Sequence, residues 1–153
     1  MTIDGAGPAP LPEPKGTGPC VVVVGMEDLR GVHAARTLAR HGVTVVGVTR
    51  DRRAYGARTR ACAAMYEADT RSEAVIDLLE ELGPGFDEPA LIVPCTDMSM
   101  LVVTEYRHRL EPHYLMTLPP TDVVEVLTDH GHAVASEGSG GVDPSQVFHA
   151  DDD

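Results

Sequence analysis

Two short stretches of the chain carry residue types that chemistry can use: "GMEDLRG", Gly25 to Gly31, and "PCTDMS", Pro94 to Ser99. Each follows an apolar run and precedes a helical pattern. A glycine at 25 lets the chain turn sharply after a strand, and one at 31 lets a helix start close against that turn. Amides at a helix start can hold an anion. Thr96 and Asp97 carry side-chain oxygens where a helix begins; Asp97 reads first as its N-cap, and a cap at a strand end also faces a cleft. Gly25, Met26, Gly31, Thr96 and Asp97 are therefore the candidate residues of a cleft for a small substrate or a nucleotide.

The spacing limits what that cleft can bind. A dinucleotide fingerprint needs G-x-G-x-x-G, and here no glycine stands between Gly25 and Gly31. Glu27 and Asp28 place negative charge where a pyrophosphate would lie, although Asp51 stands near where an acid would bind a ribose hydroxyl. A G-x-x-x-x-G-K-[ST] phosphate loop is also missing. Arg50, Arg52, Arg53, Arg58 and Arg60 read as a solvated surface that offsets nearby acids, with an anionic ligand as the alternative. His108, His113, His130 and His132 show no metal-ligand spacing. Cys20, Cys62 and Cys95 form no C-x-x-C pair, so no zinc site or disulfide framework is indicated. No catalytic residue and no metal are assigned.

The elements that must position the cleft are legible as alternating periods. "CVVVVG" (Cys20 to Gly25) is a continuous apolar run, which suits a central parallel strand covered on both faces, and "VTVVGVTRD" (Val43 to Asp51) reads as a second buried strand. Between them "VHAARTLARHG" reads as a helix with Val32, Ala35, Leu38 and Ala39 on one side and Gly42 as its stop. "RRAYGARTRA" reads as loop or short helix, and "AMYEA" as a third strand. In "TRSEAVIDLLEELGPG", Thr70 and Glu73 suggest a capping box and Val75, Leu78, Leu79 and Leu82 a stripe. "PALIVPCTD" is a fourth strand and "MSMLVVTEYRHRLEPH" a helix using Leu101, Tyr106 and Leu110. "YLMTLPP" is a fifth strand, and Thr121 caps a last helix, "DVVEVLTD". Strands alternating with helices predict a single doubly wound, Rossmann-like α/β fold: about five parallel strands, order 3-2-1-4-5, with helices on both faces. Ligands then bind beyond the strand ends, between the first and fourth strands.

The chain has 153 residues, 42% hydrophobic and 24% charged, with a net charge of -12. That charge argues against nucleic acid, because phosphate binding needs a basic face. Every Lys and Arg lies at or before Arg109, so the C-terminal end is purely acidic. Residues 1–19, rich in Pro and Gly, read as a disordered leader without a signal peptide, 20–129 as the domain, and 130–153 as a disordered acidic tail. No apolar run reaches the ~20 residues of a membrane helix. The expected setting is cytoplasmic, with no nucleic acid and no membrane as partner.

Several segments together carry a resemblance: "GVHAARTLARHGVTVVGVTRDRRAYGARTRACAAMYEAD", "EAVIDLLEELG", "PALIVPCTDMSMLVV", "RHRLEPHYLMTLPP" and "DVVEVLTD". In order and spacing, over about Val22 to Asp129, they resemble the N-terminal (pre-ATP-grasp) domain of ATP-grasp carboxylate–amine ligases. The resemblance implies a domain that walls the substrate side of a ligase. In a complete member ATP phosphorylates a carboxylate, an amine attacks the acyl phosphate, and Mg2+ neutralises the transferring group. It also implies an ATP-contacting lysine directly after the last segment. Here His130 follows Asp129. The resemblance therefore implies a chain truncated or frameshifted after Asp129, inactive alone, with no cofactor of its own and a small carboxylate or amine as its ligand. Without the core domain, Met98, Leu118, Val123, Val126 and Leu127 would form an uncovered apolar patch open to self-association. A stand-alone nucleotide or NAD(P)-binding module and a non-catalytic interaction domain are the alternatives.

Overall fold

The computed structural model describes residues 9–13, 18–119 and 123. Five strands, β1 (Val21–Val24), β2 (Val45–Thr49), β3 (Ala64–Glu67), β4 (Ala90–Pro94) and β5 (Tyr114–Met116), form one sheet in the order β3-β2-β1-β4-β5. All pairings are parallel. Fold class and strand order are those expected from the sequence. The central strands are short versions of the apolar runs: every residue of β1 and β2 is buried. A fully buried strand needs cover on both faces, and the helices supply it.

Helix α1 (Leu29–Arg40) packs on one face, where Val21, Val23, Met26, Val32, Ala35 and Val45 form a core cluster. It starts three residues before Val32, because Asp28 caps it by accepting from the Arg30 amide at 2.8 Å. Helices α2 (Glu73–Leu82), α3 (Asp97–Glu105) and α4 (Arg107–Leu110) belong to the other face, centred on Val22, Val46, Ile76, Leu79, Ile92 and Leu110. The β2–β3 connection holds only a 3-10 turn, Tyr55–Arg58.

Three local expectations are corrected. The Thr70–Glu73 capping box does not form: Ser72 precedes α2, makes no side-chain cap, and Thr70 turns its hydroxyl to Glu27. Ile76 is fully buried in that helix while Leu78 is only half-buried, so the stripe lies slightly rotated. The long helix after β4 divides at Tyr106; Val102 and Val103 reach the core there, whereas Leu101 and Tyr106 are half-buried.

Part of the stretch read as leader lies on the domain. Leu11 packs against the core, and the Tyr66 hydroxyl donates to the Ala9 carbonyl at 2.7 Å. At the other end, Arg107 donates to the carbonyls of Leu118 (2.6 Å) and Pro119 (3.0 Å), fastening the chain after β5. Of the expected apolar patch, Met98 and Val123 are exposed and Leu118 is half-buried. Val126 and Leu127, the cap at Thr121, His130 and the segment 130–153 lie outside the described residues. Among the described residues no helix is long and apolar enough to cross a membrane.

Candidate functional site

The carboxyl ends of β1 and β4 meet at the point where strand order reverses. Gly25 leaves β1 with φ +103°, a conformation that favours glycine, and its amide donates to Val48 O at 3.0 Å. A Cβ there would lie 3.1 Å from Thr96 Cγ2, so the two loops touch. Gly31 packs on the same turn: a Cβ on it would meet the Gly25 carbonyl at 2.4 Å. The sequence expectation of a glycine-enabled close approach describes this contact.

Thr96, not Asp97, is the N-cap of α3. Its hydroxyl oxygen accepts from the Ser99 amide at 3.1 Å, and Ser99 Oγ accepts from the Thr96 amide at 3.1 Å. The correction follows from geometry: Thr96 is the extended residue before the helix, so its side chain reaches the third helical amide. Asp97, one step into α3, is left exposed, with Arg30 at 3.7 Å. Met26 is also corrected. Its side chain is fully buried beneath α1 and reaches no cleft.

A cleft of about 350 Å3 opens here. Glu27 shapes one side: its carboxylate accepts from the Arg50 amide at 3.2 Å and from the buried Thr70 hydroxyl. It thereby joins the loops after β1, β2 and β3. Arg50 and Arg71 line the cleft near it, and Arg30, Asp97 and Met98 close the β4 side. Glu27, Arg30, Arg50, Arg71 and Thr70 were not singled out as cleft residues by sequence. Their signal is positional, since each stands just beyond a strand end.

The electrostatics favour binding over proton transfer. Hydrogen bonds from the Arg30 guanidinium and amide hold the Asp28 carboxyl below its ordinary value, with the guanidinium at 3.0 Å. The Arg71 amide, then its guanidinium at 3.4 Å, does the same for Asp69. Both acids are therefore ionised at neutral pH, and neither is tuned to the range a general base needs. Burial pushes the neighbouring Cys95 thiol up to about 11, so it is not a nucleophile at neutral pH. Among the described residues no group of three His, Cys, Asp or Glu is placed to hold a metal ion. The arrangement can hold a small molecule carrying both signs of charge, between guanidinium groups and carboxylates. No family model matches the chain, and no curated protein matches it.

Proposed function

We propose that this domain is the substrate-side, N-terminal domain of an ATP-dependent carboxylate–amine ligase, contributing a wall of the substrate cleft and no catalytic group. The observation that carries the reading is the mixed-charge cleft at the β1–β4 switch point, organised by Glu27 and lined by Arg50 and Arg71. The sequence resemblance over about Val22 to Asp129 supplies the family, and the observed strand order accords with it. The described residues do not fit a magnesium nucleotide. The Asp28 carboxylate already occupies the N-terminus of α1, where a phosphate would otherwise be held. The domain's share is therefore the small carboxylate or amine.

A dinucleotide module is the weaker reading. Asp51, the acid available to a ribose, accepts instead from the Arg53 amide at 2.7 Å. Gly56 stacks on the β1–α1 turn so closely that a Cβ would lie 1.7 Å from Met26 O. Isothermal titration with a panel of small amino-bearing carboxylates, Mg-ATP and NAD(H) tests the proposal. Binding of a carboxylate near ~1 mM, lost in Arg71→Ala, is expected, with Mg-ATP and NAD(H) weaker than ~10 μM. Mg-ATP or NAD(H) bound more tightly than that, with no carboxylate bound, refutes it.

A further inference from the structure

The chain is acidic, with 24 Asp and Glu against 12 Lys and Arg, yet its cations are gathered. Helix α1 carries Arg30, Arg36 and Arg40 and no acid. The segment 50–60 carries Arg50, Arg52, Arg53, Arg58 and Arg60 with Asp51 as its single acid. Eight of the 12 cations thus stand on two stretches with one carboxylate between them, and that carboxylate is turned onto the Arg53 amide. Arg30 and Arg52 have acidic partners, Asp28 and Glu67. Arg36, Arg40, Arg53, Arg58 and Arg60 make no ion pair among the described residues.

The two stretches meet at Arg36 and Tyr55. Arg36 donates to the Tyr55 hydroxyl at 3.2 Å, and its guanidinium lies 5.8 Å from the ring centre. Beneath them Gly56 abuts Met26 and Val32. Tyr55 is 67% exposed and Leu29 is 74% exposed, although the contact with Arg36 fixes the tyrosine ring. A shallow groove of about 570 Å3 runs along α1 past Leu29, Val32, His33 and Arg36.

We infer that the outer face of α1 and the Tyr55–Arg58 turn form a docking surface for an acidic protein segment bearing an apolar side chain. Exposed Arg and Tyr beside an aliphatic residue is the composition of interface hot spots. A tyrosine already held by its neighbour loses little freedom on binding. Charge complementarity selects the occupant: unpaired guanidinium groups attract carboxylates, and the exposed Leu29 offers the groove an apolar contact. The exposed Leu29 favours a peptide over a polynucleotide, which carries no aliphatic side chain to meet it.

The test uses the full chain and a fluorescein-labelled synthetic peptide whose central phenylalanine–leucine pair is flanked by aspartates and glutamates. Fluorescence anisotropy should show binding that weakens as salt rises. Arg58→Glu and Tyr55→Ser should each weaken it about tenfold or more, about 1.4 kcal/mol, with unchanged circular dichroism. A peptide with lysines in place of the acids should not bind. Absence of binding, equal binding of the lysine peptide, or indifference to both substitutions overturns the proposal. Displacement of the peptide by an oligoribonucleotide of comparable length and tighter affinity also overturns it, in favour of nucleic acid.

Discussion

The Thr70 hydroxyl donates a hydrogen bond to the Glu27 carboxylate, across 43 positions of chain. Thr70 is fully buried, and Glu27 also accepts from the Arg50 amide. The pair therefore holds the loops beyond β1, β2 and β3 in one arrangement, and the candidate cleft depends on it. Thr70→Val removes the donor and leaves a half-buried carboxylate with one partner fewer. The expected loss is ~1–3 kcal/mol in urea unfolding. Glu27→Gln keeps the shape and should lose less. Combined, the two substitutions should cost less than their sum, as expected of residues in direct contact. Strict additivity would show that the hydrogen bond carries no coupling.

Gly56 and Gly42 offer a contrast in why a glycine is needed. A Cβ on Gly56 would lie 1.7 Å from the Met26 carbonyl, so backbone must move. Gly42 has φ +77° with open space around it. Gly42→Ala meets only the left-handed penalty, ~1–2 kcal/mol. Gly56→Ala should cost more, beyond the ~1–3 kcal/mol of ordinary overpacking, because the obstacle is main chain. Thermal midpoints of the two variants, compared side by side, check the order. A Gly56→Ala variant as stable as Gly42→Ala would count against the observed packing of the turn.

Arg109 gathers the acids of α2: it donates to Glu80 at 2.5 and 3.0 Å, to Asp77 at 2.7 Å and to Glu73 at 2.6 Å. Its hydrogen bond holds the Glu80 carboxyl below the ordinary value. A depressed folded value means that the contribution is present above the unfolded carboxylate value, about 4.3, and fades as pH falls through the folded one. Arg109→Met should therefore lower the melting temperature at pH 7 and flatten its decline in acid. Parallel Tm–pH curves for the two proteins would remove Arg109 from the acid response.

The sheet is legible because β1 is an unbroken run of valines and β2 is valine-rich, the pattern of short strands covered on both faces. Boundaries were less so. Thr70 had the spacing of a cap but a better acceptor in Glu27, a partner distant in sequence. Asp97 and Thr96 are both good caps, and the choice between them rests on which residue takes the extended conformation. Of the expected cleft residues, Gly25, Gly31, Thr96 and Asp97 lie together, whereas Met26 points into the core. Of the cleft's arginines, Arg50 belongs to a run that reads as solvated surface, and Arg30 and Arg71 carry no signal, since charge gives no register against a fold not yet built.

Burial gives the thiols a signature in alkali. Cys62 and Cys95 are pushed up to about 11 by desolvation, and Cys20 is raised for the same reason. At pH 7 to 8 all three should react slowly with iodoacetamide, with rates climbing toward pH 11. The folded values lie above the unfolded one, about 8.5. Stability is therefore complete below that value and declines as pH rises through the folded values, because the unfolded chain releases its protons first. Melting temperatures measured from pH 8 to 11 should fall, and Cys62→Ala should soften the fall. A thiol that alkylates at pH 7 as fast as a free cysteine would contradict the burial.

The last expectation concerns the far edge of the sheet. Tyr114 faces the α2 side, where its hydroxyl donates to Leu79 O at 2.6 Å and its ring meets Phe86 edge-on at 5.8 Å. Alternation then turns Leu115 to the opposite face. That face is covered by α1 over β1 and β2, but on β4 Leu91 and Val93 are half-buried, and Leu115 on β5 is 51% exposed. An edge strand beside apolar surface invites pairing with another copy. The chain should therefore associate as concentration rises. Leu115→Asp places a charge on this exposed edge without touching the core, and should restore the monomer in sedimentation velocity at unchanged circular dichroism. A wild-type chain that stays monomeric at every concentration tried would show that this exposed edge does not drive association.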